Sequence, residues 1–174
     1  RFAASSDCKV LHAADIILIC VPTPLSAERE PDLSYVVRAA ETVAADLRPG
    51  QLVVLESTVW PGATATVVKP ILERGGLKAG TDFFLGFSPE REDPGNASYR
   101  TATIPKIVAG DGPEAGRLVE AFYGRVVERI VPVSSTATAE AVKITENIFR
   151  SVNIALVNEL KMIFDAMDID VWEV

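Results

Sequence analysis

The chain has 174 residues, of which 48% are hydrophobic and 24% are charged, and these values exclude disordered and fibrous proteins. The 24 acidic residues outnumber the 17 basic ones, and the net charge of −7 lacks the basic surface expected of a nucleic-acid-binding protein. No apolar run reaches the length of a membrane span, and a single histidine, His12, excludes histidine-based zinc clusters.

The cysteine content indicates the compartment. Cys8 and Cys20 are too few for a disulfide framework, and residues 1–4 are not followed by the apolar segment of a signal peptide. We therefore expect a reducing, cytoplasmic location. Cys20 falls within an apolar run and is interpreted as a small core residue. The sequence predicts no nucleic-acid partner, no membrane partner and no metal.

Apolar runs alternate with helical patterns along the chain. The predicted strands are residues 15–21, 51–56, 83–87, 104–109 and 129–133. The predicted helices are residues 32–47, 61–74, 113–125 and 135–168. Asp32 is expected to cap the first helix, Pro70 to kink the second, and Pro132 to place the last strand at a sheet edge. The last helical pattern corresponds to one helix of roughly 50 Å or to two abutting helices.

This alternation predicts the fold class. Near-continuous apolar strands, with the first strand buried on both faces, indicate an α/β fold with a doubly wound parallel sheet covered on both sides. The final helix is too long to be only a crossover. We therefore expect a sheet domain over residues 1–134 and, over residues 135–174, the start of a helical domain that this chain does not complete.

In open α/β sheets, ligands bind beyond the carboxyl ends of the strands, and three of these ends carry polar clusters. The first, Val21-Pro22-Thr23-Pro24, offers a threonine hydroxyl, although a plain strand-to-loop turn explains it as simply. The second, residues 56–62 (ESTVWPG), precedes a helix N-terminus. Its hydroxyls either contact a ligand or cap that helix through Ser57 or Thr58.

The third cluster lies in the long loop of residues 88–103, which begins SPEREDPGN. Long irregular loops within compact domains are usually functional or disordered. Arg91, flanked by carboxylates, could clamp a phosphate or a sugar, and Glu90 could act as a general base if partly desolvated. The alternative is a solvated charged loop.

The long helix adds a fourth cluster. Lys143, Asn147 and Arg150 lie on one face, and the first two could stabilise a developing oxyanion together. The alternative is an ordinary solvated helix face. The opposite stripe is predicted to be core and comprises Ile144, Ile148, Val152, Ala155 and Leu156.

A glycine-rich segment, residues 110–116 (GDGPEAG), superficially matches a phosphate-binding loop. The preceding strand is short, and Pro113 removes one N–H group from the helix start. We interpret this segment as a turn.

Four motifs together resemble those of the UDP-glucose/GDP-mannose dehydrogenase family. They are VPTP (residues 21–24), ESTVWPG (56–62), SPER (88–91) and KITEN (143–147). Their order and spacing agree along nearly the whole chain. The form SPEREDPGN of the loop resembles the branch that acts on UDP-N-acetylglucosamine or UDP-N-acetylmannosamine, whereas the UDP-glucose branch usually carries a Pro-Glu-Phe-Leu run there.

This resemblance implies a Rossmann-like domain and an NAD-dependent, two-step oxidation of a sugar C6 hydroxyl to a carboxylate. In the family a cysteine thiolate captures the intermediate aldehyde as a thioester, which water then cleaves. The implied catalytic residues are Lys143, Asn147, Glu90 and Thr58. The implied cofactor-binding residues are Thr23, Thr58, Val21 and Pro22. The implied residues for a UDP-sugar substrate are Arg91, Glu92, Lys143, Asn147 and Arg150.

The chain departs from the family pattern in two places. It contains neither the glycine-rich turn that holds the NAD pyrophosphate nor the nucleophilic cysteine downstream of the long helix. We therefore expect an interior fragment that binds NAD weakly and does not turn over. The apolar stripe of the long helix suggests a homodimer or a higher oligomer. A UDP-glucose 6-dehydrogenase and a non-catalytic nucleotide-sugar-binding or dimerisation module are the alternatives.

Overall fold

The computed structural model describes residues 3–91 and 103–174. Five strands form one sheet in sequential order. They are β1 (Ile16–Ile19), β2 (Leu52–Leu55), β3 (Phe84–Phe87), β4 (Lys106–Gly110) and β5 (Ile130–Pro132). The predicted strands and the α/β class are confirmed, and the strand that contains Pro132 lies at an edge of the sheet as expected.

The prediction of a wholly parallel sheet is wrong for one pair of strands. β1, β2 and β3 run parallel, as do β4 and β5, but β3 and β4 are antiparallel, with Phe87 opposite Ala109. β4 therefore enters the sheet at the edge where β3 leaves it. As a result, the connection of residues 88–105 begins and ends at the carboxyl edge of β1–β3.

Besides a short 3-10 helix at Cys8–Ala13, four helical regions accompany the sheet in the described residues. The N-cap residue of α1 (Ser34–Asp46) is Leu33 and not Asp32 as expected. The Asp32 carboxylate, just ahead of the cap, instead accepts a 2.8 Å hydrogen bond from the Ser34 N–H group, which lowers the pKa of Asp32. In the second region, a π-helical turn (Thr64–Val68) precedes α2 (Lys69–Leu72). Where a kink was expected at Pro70, the structure has an expanded turn just before it, which accommodates a ring that cannot donate to the helix.

The third helix, α3 (Pro113–Tyr123), starts at Gly112, whose positive φ of 98° favours glycine. A Cβ atom on Gly110 would lie 2.0 Å from the backbone nitrogen of Gly116. The glycines of this segment thus allow β4 and α3 to pack closely, in agreement with the interpretation as a turn.

The central strands are buried on both faces, whereas β1 is not. On one face Val53, Leu55 and Phe87 pack against α1 and the α2 region. On the other face α3 covers Val54 and its neighbours. The prediction that the first strand is buried on both faces is wrong, because Ile16 and Leu18 are exposed where no described element packs over that edge of the sheet.

The long helix, α4 (Thr136–Ala166), is one continuous helix of 31 residues and about 46 Å. The Ser135 side chain caps it by accepting from the Thr138 N–H group. Its first turns pack on the sheet, and Ala139 and Glu140 are fully buried. The described chain has no helix long and apolar enough to cross a membrane.

The predicted core stripe of α4 is largely wrong. Ile148, Val152 and Leu156 are each more than half exposed, Ala155 is exposed, and only Ile144 is partly buried. α4 packs against β3, β4 and the π-helical turn near its start. Further along, it has no described neighbour to bury these side chains.

Candidate functional site

A cavity of about 310 Å³ lies at the carboxyl edge of β1–β3. Residues that follow three successive strands line it: Cys20, Val21, Pro22, Thr23, Glu56, Ser57, Thr58 and Glu90. The structure therefore brings together the three polar clusters found in the sequence. The volume is within the range of small-molecule sites.

The hydroxyls of this cavity have different roles. Ser57 is buried, and its Oγ donates a 2.6 Å hydrogen bond to the backbone oxygen of Val21, which ties the ends of β1 and β2 together. The half-buried Thr23 and Thr58 have no hydrogen-bond partner within residues 3–91 and 103–174. These two hydroxyls are thus available to a ligand.

The helix that follows Thr58 is capped by a residue that the sequence analysis did not identify. Neither Ser57 nor Thr58 caps it, so that alternative is wrong. Instead, Glu140 of α4 accepts hydrogen bonds from the N–H groups of Gly62 and Thr64. The signal available in the sequence was a carboxylate on the apolar side of α4, one turn before Lys143.

Lys143 joins α4 to the loop after β3. Its Nζ donates a 2.6 Å hydrogen bond to the backbone oxygen of Glu90. Partial burial of the ammonium lowers the pKa of Lys143, with Glu146 and Glu90 opposing the shift and Arg150 adding to it. The ammonium therefore lies beside a residue that lines the cavity.

The other predicted site residues of α4 make fewer contacts than Lys143. Asn147 is half-buried, one turn after Lys143 on the same face, and Arg150 is exposed. Neither side chain makes a hydrogen bond within the part of the chain that the structure describes. The structure therefore leaves both side chains available to a ligand but does not bring them into contact with the strand ends.

Arg91 anchors the loop instead of extending into solvent. It donates a 2.8 Å hydrogen bond to the backbone oxygen of Pro105 and forms an ion pair with Glu146 of α4. The start of the loop is thus bonded both to the segment that leads into β4 and to α4. Glu92, the other predicted residue of this loop, lies outside the described residues.

A buried polar cluster beneath the cavity was not predicted. Lys106 Nζ lies 3.3 Å from Glu56 Oε1 and 3.9 Å from Glu90 Oε2. Tyr123 donates a hydrogen bond to the same Glu56 oxygen, and burial together with that carboxylate raises the pKa of Tyr123. This cluster connects the floor of the cavity to Glu90. A lysine in an otherwise apolar strand was the available signal.

The interpretation of Cys20 as a core residue is wrong. Both cysteines are free and exposed, because Cys20 lies just past the end of β1 on the cavity wall. Its Sγ donates to Glu56 Oε2 at 3.7 Å. Desolvation, followed by the charge of Glu56, raises the pKa of Cys20 to about 11. The thiol therefore stays protonated at neutral pH.

Comparison with known proteins adds family information to this geometry. Residues 1–127 match the UDP-glucose/GDP-mannose dehydrogenase family, NAD binding domain, and residues 137–174 match its central domain. Protein CapL of Staphylococcus aureus is 46% identical over 172 residues, which are 98% of this chain and 41% of CapL. A UDP-N-acetyl-D-glucosamine 6-dehydrogenase of Pseudomonas aeruginosa is 41% identical over 92% of this chain and 38% of its own length.

Solved structures agree with these matches. The UDP-D-ManNAc dehydrogenase of Pyrococcus horikoshii superposes with a TM-score of 0.90 at 39% identity, over 97% of this chain and 40% of that one. A ternary complex of GDP-mannose dehydrogenase from Pseudomonas aeruginosa gives 0.88 at 29% identity, with the same coverage. The chain thus spans about two fifths of the length of the relatives it matches.

Proposed function

Because the chain belongs to the UDP-glucose/GDP-mannose dehydrogenase family, we propose that it forms part of an NAD-dependent enzyme that oxidises the C6 hydroxyl of a UDP-N-acetylhexosamine to a carboxylate. The observation that carries this proposal is the convergence of Thr23, Thr58 and Glu90 on one cavity, with Lys143 bonded to Glu90. The family resemblance and the expected cofactor, NAD, are confirmed by the matched domain.

The cavity fits the nicotinamide end of NAD. Val21 and Pro22 provide an apolar wall, and the free hydroxyls of Thr23 and Thr58 can bond the polar groups of the ring substituents. Bound NAD would accept a hydride from the C6 carbon. The residues of this chain would orient the cofactor and exclude bulk water from the sheet edge.

Two cavity residues are suited to the water-dependent step. Thr58 and Glu90 line the same space, so the hydroxyl can hold a water molecule while the carboxylate accepts its proton. The Lys106 ammonium lies 3.9 Å from Glu90 Oε2, which keeps this carboxylate beside the cavity. We therefore assign Thr58 to water positioning and Glu90 to general base catalysis.

We assign Lys143 and Asn147 to stabilising the negative charge that develops on a substrate oxygen. An ammonium and an amide N–H group one helical turn apart can both donate to a single oxyanion. The lowered pKa of Lys143 also favours proton transfer. These roles require a substrate oxygen between α4 and the cavity.

The remaining assignments concern the substrate. We propose that the UDP-sugar contacts Arg91, Glu92 and Arg150. The ion pair with Glu146 orients the Arg91 side chain. The names of two relatives, a UDP-N-acetyl-D-glucosamine 6-dehydrogenase and a UDP-N-acetyl-D-mannosamine dehydrogenase, support an N-acetylhexosamine. A UDP-glucose 6-dehydrogenase is the alternative.

The exposed part of α4 supports the proposal of a homo-oligomer. Ile148, Val152 and Leu156 form an apolar stripe that a second copy could cover. We also propose the domain boundary between residues 134 and 135, where α4 begins after β5. A cytoplasmic location stays a prediction.

The deciding experiment supplies the full-length protein with NAD and, separately, UDP-N-acetylglucosamine, UDP-N-acetylmannosamine and UDP-glucose. We expect two NADH for each N-acetylhexosamine and a uronic acid by mass spectrometry. Preferred oxidation of UDP-glucose would support the alternative enzyme, and binding without NADH would support a non-catalytic module. We expect the 174-residue chain alone to be inactive, because neither of its cysteines, Cys8 before β1 and Cys20 directly after it, takes the position of the nucleophile that the resemblance implies.

A further inference from the structure

The most unusual buried group outside the assigned site is the carboxylate of Glu140. Its side chain is completely buried, and no lysine or arginine pairs with it in the described ranges 3–91 and 103–174. Instead, Oε1 accepts from the N–H and hydroxyl groups of Thr64, at 2.8 and 2.5 Å, and Oε2 accepts from the N–H group of Gly62. Burying a charge is costly unless donors of this kind satisfy it.

These three hydrogen bonds join the two halves of the candidate site. Glu140 precedes Lys143 by about one turn of α4, so the two residues move with the same rigid helix. Gly62 and Thr64 follow Thr58 by four and six residues, on the segment that leaves β2. The Glu140 carboxylate is thus a direct bond between the helix that carries Lys143 and the turn that continues from Thr58.

From this geometry we propose that Glu140 is a positioning residue, which holds Lys143 and Thr58 at the separation that the reaction requires. The inference rests on the proposed function. It assigns Glu140 no contact with substrate or cofactor. A displacement of about 1 Å between reacting groups can cost on the order of 100-fold in rate, so a small shift of α4 would be visible in turnover.

The chemistry of the acceptors makes Glu140→Gln an informative variant. A carboxylate accepts on both oxygens, whereas an amide presents one oxygen and one NH2 group. In the variant, the NH2 group faces either the N–H group of Gly62 or the two donors of Thr64. The side-chain volume is nearly unchanged, so the variant alters the bonds without creating a cavity.

The experiment compares Glu140→Gln with wild type in the full-length protein, by steady-state kinetics with a UDP-N-acetylhexosamine and by hydrogen–deuterium exchange of the peptide that contains Gly62 and Thr64. We expect kcat to fall on the order of 10-fold to 100-fold, KM values for NAD and sugar to change less than about threefold, and exchange at the two amides to accelerate. Unchanged kcat or unchanged exchange would overturn the inference.

Two further variants keep the test decisive if Glu140→Gln does not fold. Thr64→Val removes only the hydroxyl donor and should lower kcat severalfold, whereas Thr64→Ser retains the donor and should behave as wild type. Equal kcat values for these two variants would overturn the inference.

A control variant separates positioning from general stability. Ser135→Ala removes the cap of α4 without touching Glu140, and we expect it to lower the melting temperature with kcat retained. If it lowers kcat as much as Glu140→Gln does, Glu140 is merely structural. A wild-type enzyme that oxidises no UDP-sugar would refute the proposed function itself, and the positioning role with it. Retained activity in Glu140→Gln would refute the positioning role alone.

Discussion

Lys143 Nζ donates a 2.6 Å hydrogen bond to the backbone carbonyl oxygen of Glu90. The bond joins a long helix to the loop that leaves the third strand, across 53 residues of sequence. It brings the ammonium beside a cavity to which Thr58 and Glu90 contribute. Glu90 makes two separate contacts with lysines: its backbone oxygen accepts the bond from Lys143, and its side chain faces Lys106.

Replacement of Lys143 tests its assigned role. We expect Lys143→Ala to lower kcat of the full-length enzyme by at least about 100-fold, because a preorganised donor to a developing oxyanion is lost. The KM for the sugar should change far less. Steady-state kinetics separates the two effects, and equal losses in binding and rate would contradict the assignment. Lys161→Ala, which removes an exposed ammonium of the same helix, is the matched control.

The pH dependence of kcat follows from the lowered pKa of Lys143. If the protonated amine is the active form, the alkaline limb of the kcat profile lies below the range of an ordinary lysine. Lys143→Arg keeps its charge at all accessible pH values, so that limb should disappear even if the variant is slower. An unchanged limb in Lys143→Arg would show that another group causes it.

We expect replacement of Thr23 to affect cofactor binding and replacement of Ser57 to affect stability. The Thr23 hydroxyl has no partner in the described chain, so Thr23→Val should weaken NAD binding and leave the melting temperature unchanged. Ser57 donates to the Val21 carbonyl, so Ser57→Ala should cost about 1–3 kcal/mol of unfolding free energy. Calorimetric NAD titration and thermal unfolding measure both, and unchanged cofactor affinity in Thr23→Val would contradict its assignment.

Arg91 is expected to affect both binding and stability. Arg91→Ala removes the bond to Pro105 and the ion pair with Glu146, so we expect a higher KM for the sugar and a lower melting temperature. Glu146→Gln removes the ion pair but keeps the bond from Arg91 to Pro105, so it should show the smaller effect on both. A change in stability with unaltered KM would indicate that Arg91 only holds the loop.

The local elements could be predicted from the sequence because their signals are local. The apolar runs predicted all five strands, and the absence of Pro and Gly predicted α4. The errors concern what covers each element. The burial of Ile16 and Leu18 in β1, and of Val152 in α4, depends on neighbours that a hydrophobic pattern does not specify.

The site residues also divide into those that could be predicted from the sequence and those that depend on distant neighbours. Residues at strand ends could be found because parallel strands end at one edge. The buried partners could not, since Glu140 bonds Thr64 across 76 residues and Tyr123 bonds Glu56 across 67. A single carboxylate or phenol gives no sign in the sequence of which distant donor or acceptor it meets.

Cys20 gives a prediction with a defined pH range. Desolvation and Glu56 raise the pKa of its thiol to about 11, and only the thiolate reacts with iodoacetamide. Alkylation of Cys20 should therefore be slow at neutral pH and accelerate until the pH passes about 11. Glu56→Gln removes the carboxylate that opposes ionisation while Lys106 remains, so the variant thiol should ionise at lower pH and react faster.

Peptide mass spectrometry of the labelled full-length protein measures the rate. Rapid labelling of wild-type Cys20 at neutral pH would show that the thiol ionises readily, and would reopen the question of whether it can act as a nucleophile.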